Sequence, residues 1–266
     1  MTVQALYSAA TGMTSMETKL DVISNNLANI ETTGFKRMRA NFEDLFYRQE
    51  KLPGAQDSAG QYTAVGTAVG LGSRVQSTQA EFKQGAFQQT GRKLDVAIEG
   101  QGFFQVVDPT GEIYYTRAGN FSINANGDLV IGSASTGRLL EPAIQIPSDA
   151  TDISIGADGR VSVQQPNNEQ LTEVGQIELV TFINPEGLLR LGENLYSQTD
   201  ASGTPTQGTP GQEGIGVLRQ SSLEASNVEP VQELIDLITT QRSFELNSQA
   251  SQAGDQIMQL VANLRR

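Results

Sequence analysis

The first thirty residues of the chain repeat apolar side chains at the spacing of a heptad. The two core positions hold Leu6, Met13, Leu20 and Leu27, and Ala9, Met16, Ile23 and Ile30. A repeat sustained over about four heptads predicts a helix that packs along another helix. Gly12 is its one weak position, and Gly34 stands where a C-terminal helix cap is expected.

Three asparagines lie off this apolar seam. Asn25 and Asn29 are four residues apart and share a helix face, and Asn26 lies beside them. Asparagine lowers helix propensity, and solvated helix faces usually carry Lys and Glu. Two interpretations stay open: solvated polar positions, or amides that hydrogen bond to another chain and fix its register.

The last forty residues predict a second long helix. Ser226 and Glu229 have the spacing of a capping box, and Pro230 falls in the first turn. The apolar residues of its early and late faces are Val231, Leu234, Ile235 and Ile238, and Leu246, Ala250, Ala253, Ile257, Leu260, Val261 and Leu264. We expect the two terminal helices to pair through their apolar stripes.

The sequence between the helices has the pattern of β-strands. Apolar and polar residues alternate around Asn126-Gly127 and Asp158-Gly159, dipeptides that favour two-residue hairpin turns. Residues 52–73 and 200–216 are rich in small and polar residues and flank the β region. The predicted fold class is therefore α+β, with terminal helices paired as a coiled coil and an inserted antiparallel β domain of hairpins.

Composition argues against most catalytic chemistry. The 266 residues include no Cys and no His, which excludes thiol nucleophiles and histidine-based triads and removes the commonest metal ligand. A glycosidase with paired carboxylates is not excluded by composition, but no two acidic residues stand out. We expect no catalytic residue, no cofactor and no metal.

Two short motifs resemble ligand sites but fit them poorly. Asn124, Asn126 and Asp128 have the spacing of a calcium loop, yet the glycine comes fourth instead of sixth, which favours a hairpin turn. Gly100-Gln101-Gly102 lacks the third glycine and the following helix of a nucleotide fingerprint, so a tight turn before a strand is the preferred interpretation.

Charge and hydropathy limit the partners. The net charge of −12 disfavours nucleic acid, and the short basic runs Lys36-Arg37 and Arg265-Arg266 are interpreted as solvated helix-end charge. No segment approaches the length of a membrane span, so membrane insertion is not expected. The N-terminus lacks the pattern of a cleavable secretory signal, which predicts a cytosolic chain or export by a route without one.

Several segments together resemble the flagellar basal-body rod and hook protein family. They are LDVISNNLANIETTGFKR (20–37), LDVAIEGQGFF (94–104), GENLY (192–196) and residues 221–258, in family order over nearly the whole chain. Within the family, residues 46–63, FYRQEKLPGAQDSAGQYT, are similar to the distal rod members (FlgG type). The core of this rod-specific loop is Leu52, Pro53, Gly54, Ala55 and Gln56.

The resemblance implies a structural subunit and not an enzyme. Residues 1–34 and 227–266 are expected to form a coiled-coil tube around a channel, and residues 91–196 a β domain in the outer wall. Residues 35–90 and 197–226 are expected to be an extended connecting region that carries the rod-specific loop. The polymer is expected to be a stiff hollow drive shaft that transmits torque from motor to hook and lets export substrates pass.

The resemblance also implies partners and a location. The partners are further copies of the chain, proximal rod proteins below, hook protein above, the surrounding peptidoglycan and outer-membrane rings, and the flagellar type III export apparatus. The location is the rod of the basal body across the periplasm, reached without a cleavable signal. A proximal rod or hook subunit, a cell-wall hydrolase and a secreted coiled-coil adhesin remain as alternatives.

A set of residues is expected to pack subunits together. In this interpretation the apolar seam of the first helix is buried against the C-terminal helix of the same chain, the asparagine face meets neighbouring subunits, and the rod-specific loop braces adjacent copies. The assembly residues are Leu6, Met13, Leu20, Ile23, Asn25, Asn26, Leu27, Asn29, Ile30, Gly34, Phe35, Asn227, Leu234, Ile238, Gln241, Arg242, Ile257 and Leu264.

Overall fold

The computed structural model describes residues 2–54, 56, 62, 64–132, 137–166, 168–212 and 214–264. Contacts divide the chain into two compact units. We call Met1–Ala28, Met38–Ala80 and Glu229–Arg266 the helical unit, and Asn29–Arg37 and Glu81–Val228 the β unit. The fold is therefore mixed, with a helix near each end and a largely β region between them.

The helical unit contains two long helices and two small antiparallel strand pairs. Its elements are α1 (Thr2–Ala28), β1 (Met38–Asp44), β2 (Tyr47–Lys51), β3 (Thr67–Gly70), β4 (Ser73–Ala80) and α2 (Pro230–Leu264). β1 pairs with β4 and β2 pairs with β3, so the second pair extends the first as a nested hairpin. α1 packs against α2 and also against β1 and β4.

α1 ends earlier than its heptad pattern predicts. Its last residue is Ala28, so Asn29 and Ile30 lie in the turn that follows. The prediction that Gly34 caps this helix is wrong, because Gly34 lies six residues beyond it and its N–H donates to the carbonyl of Glu224 at 2.8 Å. Gly34 does require its glycine: its φ is +70°, and an added Cβ lies 2.9 Å from the backbone nitrogen of Ala118.

The β unit is built from short antiparallel strands. In chain order the strands are β5 (Phe87–Gln89), β6 (Val96–Glu99), β7 (Phe103–Val107), β8 (Ile113–Thr116), β9 (Ser122–Ile123), β10 (Leu129–Gly132), β11 (Gly137–Glu141), β12 (Asp152–Ile155), β13 (Arg160–Gln165), β14 (Asn168–Gln176), β15 (Leu179–Thr181), β16 (Leu189–Gly192), β17 (Leu195–Ser197), β18 (Thr206–Gly208), β19 (Val217–Gln220) and β20 (Ser222–Glu224). A 3-10 turn spans Pro185–Gly187.

One large sheet organises the β unit. Its strands follow the order β16-β17-β8-β7-β11-β10-β9, and β15 joins it by pairing with β7 and with β18. β12, β13 and β14 form a second sheet, and β6–β19 and β5–β20 form two pairs. The hairpins predicted at Asn126-Gly127 and Asp158-Gly159 are confirmed, since they join β9 to β10 and β12 to β13. Residues 197–226, predicted to be extended and connecting, include β18, β19 and β20.

Both faces of the central strands are buried. Phe104 and Leu179 belong to the main apolar core, whereas their neighbours Phe103 and Val180 belong to a second cluster. Adjacent residues of a strand point to opposite faces, so the run FFQVV serves two cores at once. Aromatic rings dominate the second cluster, with the ring centroids of Phe103 and Tyr196 5.8 Å apart.

Candidate functional site

α2 meets α1 with a narrow, largely polar face. Glu233, Thr240, Asn247 and Gly254 recur every seventh residue, and Glu233, Thr240 and Gly254 are buried. Small residues bring the helices close: a Cβ on Gly254 lies 2.8 Å from Leu6, and a Cβ on Gly12 lies 3.1 Å from the side chain of Asn247. Gly12, a weak point in the heptad, thus permits the close antiparallel approach.

Asn26 fastens the C-terminal end of α1 to its own chain. The side-chain carbonyl accepts the N–H of Met38 at 2.8 Å, and Nδ2 donates to the carbonyl of Met38 at 2.8 Å and to Glu233 at 3.3 Å. The residue is fully buried. The predicted hydrogen bond from Asn26 to a neighbouring subunit therefore does not fit, because its amide is fully used within the chain.

The apolar stripe of α2 does not face α1. Its large side chains are exposed, from 49% for Ile257 to 84% for Leu264. The expectation that the two helices of one chain pair through their apolar stripes is therefore wrong for α2. A helix that leaves apolar side chains exposed along its early and late turns is expected to bury them against another chain.

The other predicted assembly residues divide by burial. Ile23, Gly34, Phe35 and Asn227 are buried or bonded within the chain, and Leu6, Met13, Leu20, Asn29 and Ile30 are partly buried. The exposed members are Asn25, Leu27, Leu234, Ile238, Gln241, Arg242, Ile257 and Leu264, and, in the rod-specific loop, Leu52, Pro53, Gly54 and Gln56. Ala55 lies outside the described residues.

α2 carries a second exposed stripe, made of amide side chains, that was not predicted from the sequence. Its members alternate at spacings of three and four, as helix neighbours do, and they are Gln249, Gln252, Gln256, Gln259 and Asn263. Gln252 and Gln256 are each two residues from Gly254, a rotation of about 200°, so the stripe lies opposite the face that meets α1. The repeat of amide residues can be read from the sequence, but its significance depends on knowing which side of α2 faces α1.

The β2–β3 hairpin exposes apolar side chains. Phe46, immediately before β2, is 88% exposed, and Tyr47, Leu52, Tyr62 and Val65 are also exposed. The hairpin contains the described part of the rod-specific loop, in which Gln56 and Tyr62 form an isolated bridge. Exposed apolar residues grouped in this way are typical of a contact with another protein.

A buried ionic cluster fixes the segments that enter and leave the β unit. Lys36 Nζ lies 2.6 Å from Glu224 Oε1, and Arg117 Nε lies 3.1 Å from Glu224 Oε2. All three residues are buried. The interpretation of Lys36 as solvated helix-end charge is therefore wrong: its ammonium also donates to the carbonyl of Lys83 at 2.6 Å.

Asn227 reinforces this junction. Its side-chain carbonyl accepts the N–H of Arg37 at 2.7 Å, and its Nδ2 donates to the carbonyl of Glu81 at 2.8 Å. The entering and leaving segments are thus bound to each other through one amide. This local role accounts for Asn227 without an intersubunit contact.

Burial lowers the pKa of Lys36 from 10.5 to about 8, with Glu224 opposing the shift and Arg117 adding to it. At pH values between the two pKa values, Lys36 is protonated in the unfolded chain and deprotonated in the folded chain, so the free energy of unfolding rises with pH. We expect a rise of about 2 kcal/mol from pH 8 to pH 10, measured by denaturant titration. A Lys36→Met variant should lack this rise, and equal slopes in both proteins would contradict the assignment.

The described residues contain no group of three or more side chains placed to hold a metal ion. No helix in the described part of the chain is long and apolar enough to cross a membrane. The exposed apolar and amide stripes of α2 and the β2–β3 hairpin are the candidate functional surfaces.

Three family models match the chain in order. They are described as "Flagella basal body rod protein" (residues 6–36), "Flagellar hook protein FlgE/F/G D1 domain" (97–163) and "Flagellar basal body rod FlgEFG protein C-terminal" (219–264). The first match falls on α1 and the turn after it, the second on the β unit, and the third mainly on α2.

Full-length relatives agree with these matches. The flagellar basal-body rod protein FlgG of Agrobacterium fabrum is 44% identical over 97% of this chain and 98% of its own length. The FlgG of Caulobacter vibrioides is 44% identical over 98% of this chain and 99% of its own length. The flagellar hook-basal body complex protein FlhP of Bacillus subtilis is 30% identical over 98% of this chain and 99% of its own length.

The fold and these matches define a structural protein of the flagellar rod and hook class, which is not a class of enzymes. Within that class, the chain belongs to the flagellar basal-body rod protein FlgG family. Its place is therefore the flagellar basal body.

Proposed function

We propose that the chain is the subunit of the flagellar distal rod and self-assembles into a stiff, hollow helical drive shaft. The observation that carries the proposal is the exposed apolar stripe of α2 in a member of a rod family. A single chain leaves this surface in water, whereas a polymer buries it between copies. The shaft would transmit torque from motor to hook.

Coiled-coil packing in this polymer joins different chains. The heptad of α1 leaves Leu6, Met13 and Leu20 only partly buried within one chain, and α2 leaves its apolar stripe uncovered. Both stripes have the spacing that packs side chains between helices. We assign the coiled-coil contacts to α1 and α2 of neighbouring copies, in a core domain of residues 1–34 and 227–266.

The amide stripe of α2 suits the wall of a channel. Gln252, Gln256 and Gln259 carry no charge to bind a passing chain and no apolar surface to adsorb it. The stripe also lies opposite the face that meets α1, so it remains open when the helices pack. In this arrangement the β domain, predicted as residues 91–196, forms the outer wall.

The test of the proposal is assembly of the purified full-length chain, followed by electron microscopy. A distal rod subunit should form straight hollow filaments and should localise to basal bodies when expressed in a flagellated bacterium. A chain that stays monomeric under all conditions and never joins basal bodies would contradict it.

Replacing Gln252, Gln256 and Gln259 together with leucine is expected to leave polymers intact but to slow export through them several-fold. The leucines would place adhesive apolar surface along the path of the exported chains. The measurement is the rate at which exported subunits appear beyond the rod. Asparagine at the same positions keeps the amides and is the matched control, and equal slowing by both variants would exclude the channel assignment.

Deleting residues 52–63 is expected to leave polymers possible but more bent. The deletion removes exposed apolar side chains of the β2–β3 hairpin, Leu52 and Tyr62 among them, that we expect to brace adjacent copies. Residues 55, 57–61 and 63 lie outside the described part of the chain. Filament curvature in micrographs is the measurement, with a Gly/Ser replacement of equal length as control. Filaments as straight as the parent's would refute the bracing role.

The remaining partners follow from the same proposal. Proximal rod proteins would lie below the polymer, hook protein above it, and the peptidoglycan and outer-membrane rings around it in the periplasm. Delivery would be through the flagellar type III export apparatus. A proximal rod or hook subunit is the next candidate, and identities of 44% to FlgG proteins over nearly the whole chain favour the distal rod.

A further inference from the structure

The β unit contains an aromatic pocket next to its ionic cluster. The cavity has a volume of about 210 Å³. Its walls include Phe82, Phe103, Phe182, Ile183, Pro185 and Arg117. Ile183 is 89% exposed at this site, whereas Phe103 is buried. A concave surface with three aromatic rings and one cationic group suits an apolar ligand that also carries a negative charge.

The tight Gly100-Gln101-Gly102 turn holds Arg117 in place. Nη1 of Arg117 donates to the carbonyl of Gly100 at 2.9 Å and to that of Gly102 at 2.7 Å. Both glycines have positive φ, +108° and +139°, which lets their carbonyls converge on the guanidinium. Nε is used by Glu224, and Nη2 has no hydrogen bond to any described residue. One edge of the guanidinium therefore remains available.

The cluster beside the pocket carries excess positive charge. Lys36 and Arg117 are both buried against one carboxylate, that of Glu224, which leaves a net charge of about +1 if all three are ionised. Two buried cations share this one carboxylate, so a second carboxylate that reached Arg117 would be stabilised there. The ligand that fits is thus an aromatic or branched apolar group close to a carboxylate.

The chain itself carries such a group on the turn between β1 and β2. Phe46 is 88% exposed, and Asp44, two residues before it, is also exposed. We propose that Phe46 of a second copy inserts into the aromatic pocket and that Asp44 of that copy pairs with Arg117. The contact joins two different surfaces, as a helical polymer requires. It rests on the proposed function, because it needs copies placed side by side.

Single-cysteine cross-linking tests this contact cleanly, since the chain has no Cys of its own. Phe46→Cys chains and Ile183→Cys chains are mixed with an excess of unmodified chains, assembled, and oxidised with diamide. The 46–183 disulfide, identified by mass spectrometry, is expected on the order of a hundredfold above a 46–171 pair made with Leu171→Cys. Leu171 is also exposed, on β14, and serves as the matched control.

The outcomes separate the inference from the proposed function. Straight polymers with equal 46–183 and 46–171 yields would overturn the contact and leave the rod subunit assignment intact. Parent chains that never polymerise would contradict the function and the contact with it. Binding of the probe 3-phenylpropionate to the monomer without any 46–183 cross-link in polymers would assign the pocket to free apolar carboxylates, and would also overturn the inference. Loss of the 46–183 cross-link when Arg117→Met is added to the Ile183→Cys chain would support the proposed contact.

Discussion

Replacing Glu224 with alanine is expected to lower the free energy of unfolding of the β unit by about 3–5 kcal/mol. The carboxylate holds Lys36 and Arg117 and also accepts the N–H of Gly85 at 2.8 Å. Its removal leaves two buried cations facing each other without a counter-charge. Denaturant titration followed by near-ultraviolet circular dichroism measures the loss, because Tyr115 and Tyr196 are buried in this unit.

The matched control for this variant is Glu245→Ala. Glu245 also pairs with an arginine, Arg242, at 3.0 Å, but both side chains are exposed. Exposed ion pairs contribute about 0–1 kcal/mol, so this variant should unfold almost like the parent. Equal losses in the two variants would show that the buried cluster does not stabilise the β unit.

Replacing Lys36, Arg117 and Glu224 together with apolar residues of similar volume should recover much of that loss. Buried ion clusters exchanged for well-packed apolar groups are often neutral in stability. A triple variant as unstable as Glu224→Ala would instead indicate that the segments depend on the individual hydrogen bonds, such as that from Lys36 to the carbonyl of Lys83.

Local and periodic signals predicted the elements well. The heptad of α1, the proline at the start of α2 and the Asn-Gly and Asp-Gly turns each determine backbone geometry over a few residues. The end of α1 was misjudged because the apolar repeat continues through Ile30, while the helix ends at Ala28. The turn after α1 is set by contacts within the β unit, such as Gly34 to Glu224, and those are distant in sequence.

The identity of each helix's partner could not be predicted from periodicity. An apolar stripe indicates that a face is buried, but not whether the same chain or another one buries it. In α2 the face that meets its own chain includes Glu233, which accepts a hydrogen bond from Asn26, and Gly254, which permits close approach to Leu6. The apolar stripe remains exposed in the single chain, and we propose that other copies bury it.

The buried ionic cluster of Lys36, Arg117 and Glu224 could not be predicted from the sequence either. Lys36 and Arg37 are adjacent and both basic, yet Lys36 is buried and Arg37 is only partly so. The carboxylate that explains Lys36 belongs to Glu224, 188 residues further along the chain. Without a contact map, a basic pair after a helix has no feature that distinguishes a buried lysine from a solvated one.

Ile257→Glu is expected to abolish polymerisation, raising the concentration needed for assembly by on the order of a hundredfold or more. Ile257 lies in the middle of the exposed apolar stripe of α2, between Leu246 and Leu264. In the polymer a glutamate there would be buried without a partner, at a cost of several kcal/mol, and each 1.4 kcal/mol changes an equilibrium about tenfold. Sedimentation at a series of concentrations measures the effect.

Gln256→Glu adds the same charge one residue away and is the control. Gln256 belongs to the amide stripe, which we assign to the channel, so its side chain should stay hydrated and polymers should form near the parental concentration. The monomers of both variants should keep the secondary structure of the parent, because neither position faces α1. Equal loss of assembly in the two variants would mean that charge alone, and not burial of the apolar stripe, controls polymerisation. If Ile257→Glu assembled at the same concentration as the parent, the apolar stripe would not be part of the interface.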